Sequence, residues 1–241
     1  MKPTLSVIMP AYNEEAGLAS AVEEVRQYVL DVLPGSELIV VNDGSRDGTG
    51  KLADSLSQAD PRVRVLHKPN GGHGSAILAG LDASQADVAF LIDSDQQIPL
   101  RVFGPMWEKL QNTDAVFGNR LQRADAAIRI WLTRVIRLVL SLLFAVSLHD
   151  SNVPCKLVRR VVWTGARKVI PDDTLAPSLF LAIWAKRSKY RVEIIDVVHE
   201  DRKTGEVSIK RWKLFKFCLR GLRQLLAFRW RLLVQGSAAR G

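Results

Sequence analysis

Five short apolar runs mark the first half of the chain: Leu5–Met9, Leu38–Val41, Val63–Leu66, Val88–Ile92 and Ala115–Phe117. Helical patterns lie between several of them, at Glu14–Leu30, Thr49–Gln58 and Gly74–Ala83, and Pro34–Gly35 and Asp60–Pro61 punctuate the helix ends. Strands that are apolar throughout, alternating with helices, predict an α/β fold with a mostly parallel sheet covered by helices on both faces. Ligands bind such sheets outside the carboxyl ends of the strands. Three polar motifs fall at those ends, PAYNEE (10–15), VNDGSRDGT (41–49) and DSDQQ (93–97).

The last of these places Asp93, Asp95 and Gln97 at alternate positions directly after an apolar strand. Carboxylate and amide oxygens gathered at a strand end are hard ligands, suited to Mg2+ or Mn2+. A solvated acidic turn uses the same residue types, but three polar clusters at neighbouring strand ends favour one shared site. The chain contains neither G-x-G-x-x-G nor G-x-x-x-x-G-K-[ST], which argues against dinucleotide-dependent dehydrogenases and P-loop NTPases. NGGHGSA (70–76) is glycine-rich and opens a helix; it suits a phosphate, and more simply a turn. His73, His149 and His199 lack ligand spacing and read as structural or surface residues.

The chain's 241 residues suit one large domain, or one with an appendage, and 47% hydrophobic with 24% charged residues is a globular balance. Cys155 and Cys218 stand far apart without disulfide or metal spacing, as expected in a reducing compartment. The opening MKPTLSVIMP has no signal-peptide pattern, so the N-terminal part is expected in the cytoplasm. The net charge of +9 equals the nine Lys and Arg residues of 208–241, a segment without an acid. Such a tail serves nucleic acid, an acidic protein or an anionic membrane surface.

Hydrophobic patterning chooses among these. In 128–148, Ile130, Arg134, Arg137 and Ser141 share a helical stripe opposite Ile128, Trp131, Leu132, Val135, Leu138, Val139, Leu142 and Val146. The arginines interrupt any spanning segment, so a helix lying in a membrane interface is expected, with packing on the protein's own core as the alternative. In the tail, Lys213, Lys216, Arg220, Arg223 and Arg231 share one face with Ala227, while Leu214, Phe215, Cys218, Leu219, Leu222, Leu225, Leu226, Leu232 and Leu233 occupy the other. Nucleic acid explains the charge but not the apolar face; an anionic membrane surface explains both. The expected division is 1–207, including the amphipathic helix at about 125–148, and a basic tail at 208–241. A peripheral protein at the cytoplasmic face, without a transmembrane helix, follows from this reading.

The order of motifs resembles the family 2 glycosyltransferases of the Rossmann-like GT-A fold, through SVIMPAYNEE, IVVNDGSRDGT, NGGHGSA and LIDSDQQIP. VFGNR (116–120), HDSNVPCKLVRR (149–160) and VHEDRKTGEVSI (198–209) resemble the polyprenyl-phosphate branch, which includes the dolichyl-phosphate mannose synthases. The resemblance covers residues 4–209 and implies a nucleotide-sugar donor and a polyprenyl phosphate acceptor. It implies that Pro10, Tyr12 and Glu14 border the nucleotide, with Val41 and Asp43 beside the base. Asp93 and Ser94 would lie near the sugar, Asp95 and Gln97 would hold Mg2+ or Mn2+, and Arg120 and Arg202 would face phosphates. Ser208 stands where the mannose synthases carry a lysine, which leaves the donor open between UDP- and GDP-sugars.

Direct in-line displacement with inversion at the anomeric carbon is the expected reaction, and a lipid phosphate, already anionic, needs no strong protein base. Arg120, Arg134 and Arg137 are the candidates for cradling that phosphate. A family 2 enzyme acting on a polysaccharide or soluble acceptor would keep the N-terminal motifs without a use for the basic helices. A non-enzymatic membrane-binding module would leave the DSDQQ strand end unexplained.

Overall fold

The computed structural model describes residues 4–120, 140–146, 153–200 and 211–238, with side chains in the last stretch described for 220–234. Arg134, Arg137, Arg202, His149 and the 207/208 boundary lie outside these residues.

Seven strands form one sheet in the order β3-β2-β1-β4-β6-β5-β7: β1 (Leu5–Ala11), β2 (Ser36–Asp43), β3 (Val63–Lys68), β4 (Val88–Ile92), β5 (Ala115–Arg120), β6 (Cys155–Arg159) and β7 (Val192–Val197). Only β6 is reversed, antiparallel to β4 and β5. Every residue of β1, β2 and β4 is buried, as continuous apolar strands in a two-sided sheet require.

Because side chains alternate along a strand, each strand feeds two cores. Leu5, Val7, Met9, Leu38, Val40 and Phe90 face α1 (Leu18–Val25), α2 (Thr49–Ala59) and α4 (Phe103–Leu110). Ile8, Ile39, Val41, Leu91 and Phe117 face α3 (His73–Ala83), α5 (Arg160–Arg167), α6 (Pro177–Arg187) and part of α7 (Arg211–Ala238). The expected Glu14–Leu30 helix begins later, at Leu18, and closes through a π-turn at Arg26–Leu30.

Sequence pattern overlooked β6 and β7. Lys156 interrupts β6, yet its side chain is fully buried. Its Nζ donates to the Val153 carbonyl and sits 5.5 Å from the centre of the Phe117 ring, so the charge is hydrogen-bonded and faces a π-system.

The two amphipathic segments pack differently from their patterns. Residues 140–144 are helical, with Leu140 and Phe144 in the core, whereas Leu142, assigned to the apolar face, is 75% exposed. The described end of that segment therefore packs on the body. In α7, Leu225 and Phe228 are buried, and the Phe228 ring meets Phe180 edge-on with centroids 4.7 Å apart. Burying a phenylalanine of this kind contributes about 2 kcal/mol. Leu222, Leu226 and Leu233, expected on the same face as Leu225, are exposed. The apolar residues of α7 thus split between a packed side and an outward side, which corrects the two-face reading. Among the described residues no helix is long and apolar enough to cross a membrane.

Candidate active site

The carboxyl ends of β1, β2 and β4 lie side by side, because β1 pairs with both of the others in parallel register. The loops after β1 and β2 are cross-bonded. Asn13 N–H donates to Ser45 Oγ (3.1 Å), Arg46 N–H to Asn13 Oδ1 (2.9 Å), Glu14 N–H to Thr49 Oγ1 (2.8 Å) and Gly48 N–H to Glu15 Oε2 (2.8 Å). PAYNEE and VNDGSRDGT are therefore one rigid unit. At Gly44, φ is +68° and a Cβ would approach Asn70 N to 2.6 Å, so glycine is required at this turn.

Asp43 ends β2 and is buried. Its carboxylate accepts from Lys68 Nζ and from the N–H groups of Gly71 (2.9 Å) and Gly72 (2.7 Å). One charge thus fastens the 68–72 loop against β2, and that loop opens α3. Val41 is different: its side chain is fully buried in the core beside α3 and lines neither of the cavities below. It shares its face of β2 with Asp43, two residues further on, but lies deeper, where α3 covers the strand.

After β4 the chain turns sharply at Gln96, whose φ of +54° is unusual for a residue with a side chain. Glu24 of α1 holds this turn, accepting from Gln96 Nε2 (3.0 Å) and Leu100 N–H (2.8 Å). With Gln96 directed outward to Glu24, Asp95 and Gln97 both border one cavity. Glu24 carried no motif signal; only its place on α1 identifies it.

Two cavities meet here. One, about 440 Å³, is walled by Pro10, Tyr12, Glu14, Asp43, Ser94 and the 70–73 loop. The other, about 240 Å³, is walled by Gln97, Arg120, Cys155, Ser178 and His199 among others. His73, Asp93 and Asp95 line both. All the described site candidates except Val41 therefore converge. His73 and His199, read from sequence as ordinary residues, border the same space, and no spacing rule would have joined residues so far apart.

His73 opens α3, and its Nε2 lies 2.8 Å from Asp93 Oδ1. Burial lowers the imidazole's proton affinity, but the charge of Asp93, the hydrogen bond to it and the fields of Asp95 and Asp43 outweigh burial, so its pKa is raised above the ordinary 6.5. The Cys155 thiol is pushed up to about 12 by burial, which makes it inert.

The donor set fits a hard divalent cation. Asp95 Oδ1 accepts Gln97 N–H at 3.2 Å, and Gln97 Nε2 donates to the Glu200 carbonyl at 3.3 Å, leaving the amide oxygen of Gln97 as its coordinating group. Among the described residues no three His, Cys, Asp or Glu side chains form a complete metal cluster. An incomplete protein set suits Mg2+ or Mn2+, which take remaining positions from phosphates and water.

The far wall of the smaller cavity is Leu175–Ser178, where the chain enters α6. Gln224 of α7 holds this segment, accepting from Leu175 N–H (2.9 Å) and donating to the Asp173 carbonyl (2.8 Å). On the other side, a Cβ on Gly74 would strike the Thr174 carbonyl, so α3 also presses on the segment. The C-terminal helix thus reaches the site through a loop.

Residues 6–164 match the sequence profile of Glycosyl transferase family 2. An undecaprenyl-phosphate 4-deoxy-4-formamido-L-arabinose transferase of Pseudomonas aeruginosa is 30% identical over 86% of the chain, and the chain spans 61% of that relative's length. A prophage bactoprenol glucosyl transferase homolog of Escherichia coli is 27% identical over 93% of the chain and 72% of its own length. In fold, the chain is similar to glucosyl-3-phosphoglycerate synthase of Mycobacterium tuberculosis, solved with Mn2+, UDP and phosphoglyceric acid. The TM-score is 0.70 at 19% identity, covering 94% of this chain and 78% of that one.

Proposed function

The chain belongs to glycosyl transferase family 2, and on that premise we propose that it transfers a sugar from a nucleotide-sugar donor to the phosphate of a polyprenyl phosphate. The observation that carries the reading is the meeting of two cavities at Asp93 and Asp95. The larger, bordered by Pro10, Tyr12, Glu14 and Asp43, takes the nucleotide; the smaller, with Arg120 in its wall, takes the acceptor phosphate. The relatives named for undecaprenyl phosphate and bactoprenol support a lipid acceptor.

Asp95 and Gln97 would hold Mg2+ or Mn2+, which when bound would neutralise charge developing on the departing diphosphate. Asp93 stands where both cavities open and positions the sugar, while its bond to His73 fixes its orientation. Arg120 orients the acceptor phosphate and, as a guanidinium, does not protonate it. Arg202 is assigned to the diphosphate, and Arg134 and Arg137 to the acceptor. Apart from Asp93 and Asp95, no carboxylate of the described residues lines the smaller cavity, which suits an acceptor already ionised rather than a hydroxyl needing a base. Transfer then inverts the anomeric centre. The working place is the cytoplasmic membrane face, with the protein bound peripherally.

Incubation with a panel of UDP- and GDP-sugars and polyprenyl phosphates, read by mass spectrometry, should yield one glycosylated lipid phosphate. EDTA should abolish its formation. A product formed only on soluble sugars would sink the lipid assignment, and full activity in EDTA would sink the metal site.

A further inference from the structure

Arg220, Arg223, Ala227 and Arg231 follow three- and four-residue spacing along α7, so they form one stripe. That stripe is solvent-exposed but does not stand clear of the body. It borders an open groove of about 460 Å³ between α7 and the loop at Pro171 and Asp173. Three guanidiniums share this groove with one carboxylate.

These arginines are weakly engaged by the protein. Arg220 reaches the Asp173 carbonyl at 3.3 Å and its carboxylate at 3.4 Å, both near the limit for a hydrogen bond, and Asp173 is largely exposed. Arg231 reaches the Val169 carbonyl at 3.4 Å. Arg223 makes no hydrogen bond or ion pair among the described residues. Each guanidinium offers five donors in a planar fork that matches phosphate oxygens, so most of this capacity is unspent.

The outward side of α7 indicates where the phosphate comes from. Leu222, Leu226, Trp230 and Leu233 make an exposed apolar stripe, with Trp230 69% exposed. A free phosphate ion has no use for such a stripe. A phospholipid does, because its headgroup phosphate sits just above the acyl boundary where leucine and tryptophan side chains are stable.

We propose that the groove formed by Arg220, Arg223 and Arg231 against the Pro171–Asp173 loop binds the headgroup phosphate of an anionic phospholipid, while the Leu222–Leu233 stripe enters the membrane surface. The site is separate from the two cavities at Asp93 and Asp95. The proposal rests on the membrane-surface part of the function proposed above, not on its transfer chemistry.

The test is co-sedimentation with vesicles of phosphatidylcholine alone, or with one quarter phosphatidylglycerol. Arg220→Gln, Arg223→Gln and Arg231→Gln together should weaken partitioning into the anionic vesicles by about 100-fold. Partitioning into neutral vesicles, and transfer with detergent-dispersed substrates, should be unchanged. Ala227→Glu, which places a carboxylate in the groove without removing an arginine, should lower anionic partitioning as well. A charge-matched control, Arg26→Gln with Arg64→Gln and Arg191→Gln, should lose far less. Equal losses in the control, or wild-type partitioning by the groove variants, would overturn the site. Displacement by inorganic phosphate, but not by chloride at equal ionic strength, would reassign the groove to free phosphate and overturn the lipid. If the unaltered protein binds neither vesicle, the membrane reading itself fails while the transfer assay still stands.

Discussion

The strand-end region and the C-terminal helix handle charge in opposite ways. At the ends of β1, β2 and β4, polar groups are pinned: Asp43 accepts three donors, Glu24 holds the Gln96 turn, and the two loops bond one another. Along α7, only Gln224 is firmly held, while three arginines reach long contacts or none among the described residues. The first arrangement suits chemistry, which needs groups fixed before the substrate arrives. The second suits a surface whose ligand completes it. Perturbing each should therefore have different consequences.

The largest expected effect lies in the pinned region. Asp95→Ala should cut transfer on the order of a hundredfold or more, as loss of a charge-stabilising group does. Its thermal stability and vesicle binding should match the unaltered protein; an active variant would remove the central assignment. Next comes Lys156→Ala, which deletes a buried side chain together with its bond to Val153 and should destabilise the fold by about 2–4 kcal/mol, measured by urea denaturation.

Gln224→Ala tests the one firm link between the regions among the described residues. It should raise the KM for the acceptor several-fold with a smaller change in kcat, because it frees Leu175–Ser178 without touching Asp95. Unchanged KM would show that α7 does not position that wall. The smallest effect concerns acid stability at Asp60. Its hydrogen bonds from Arg62 hold the carboxyl below the ordinary 3.8. The folded pKa is depressed, so this stabilisation is complete above the unfolded value and is lost as pH falls through the folded one. Arg62→Gln should lower the melting temperature slightly at neutral pH, with the difference disappearing in acid. A difference that persists at the lowest pH would assign it to packing instead.

What was legible in the sequence was local. Apolar runs identified five parallel strands; burial on both faces demands such runs in β1, β2 and β4, while the edge strand β3 carries the exposed Arg64, and polar motifs at the strand ends followed from topology. Asp93, Asp95 and Gln97 could be named because alternation and the turn bring them together within five residues. Tertiary structure decided what depends on distant partners. Lys156 lies inside a strand because Val153 and Phe117 accommodate its charge, and Val41 is in the core because α3 covers β2 at that depth, while Asp43 on the same face reaches the strand end. His73, His199 and Gln224 reach one region only after the sheet and α7 are assembled. The sign of α7 was also undecided: its leucines recur too often for one stripe, so periodicity alone could not choose which of them would be buried. Phe180 and Phe144 made that choice by packing on Phe228, which left Leu222, Leu226 and Trp230 facing outward.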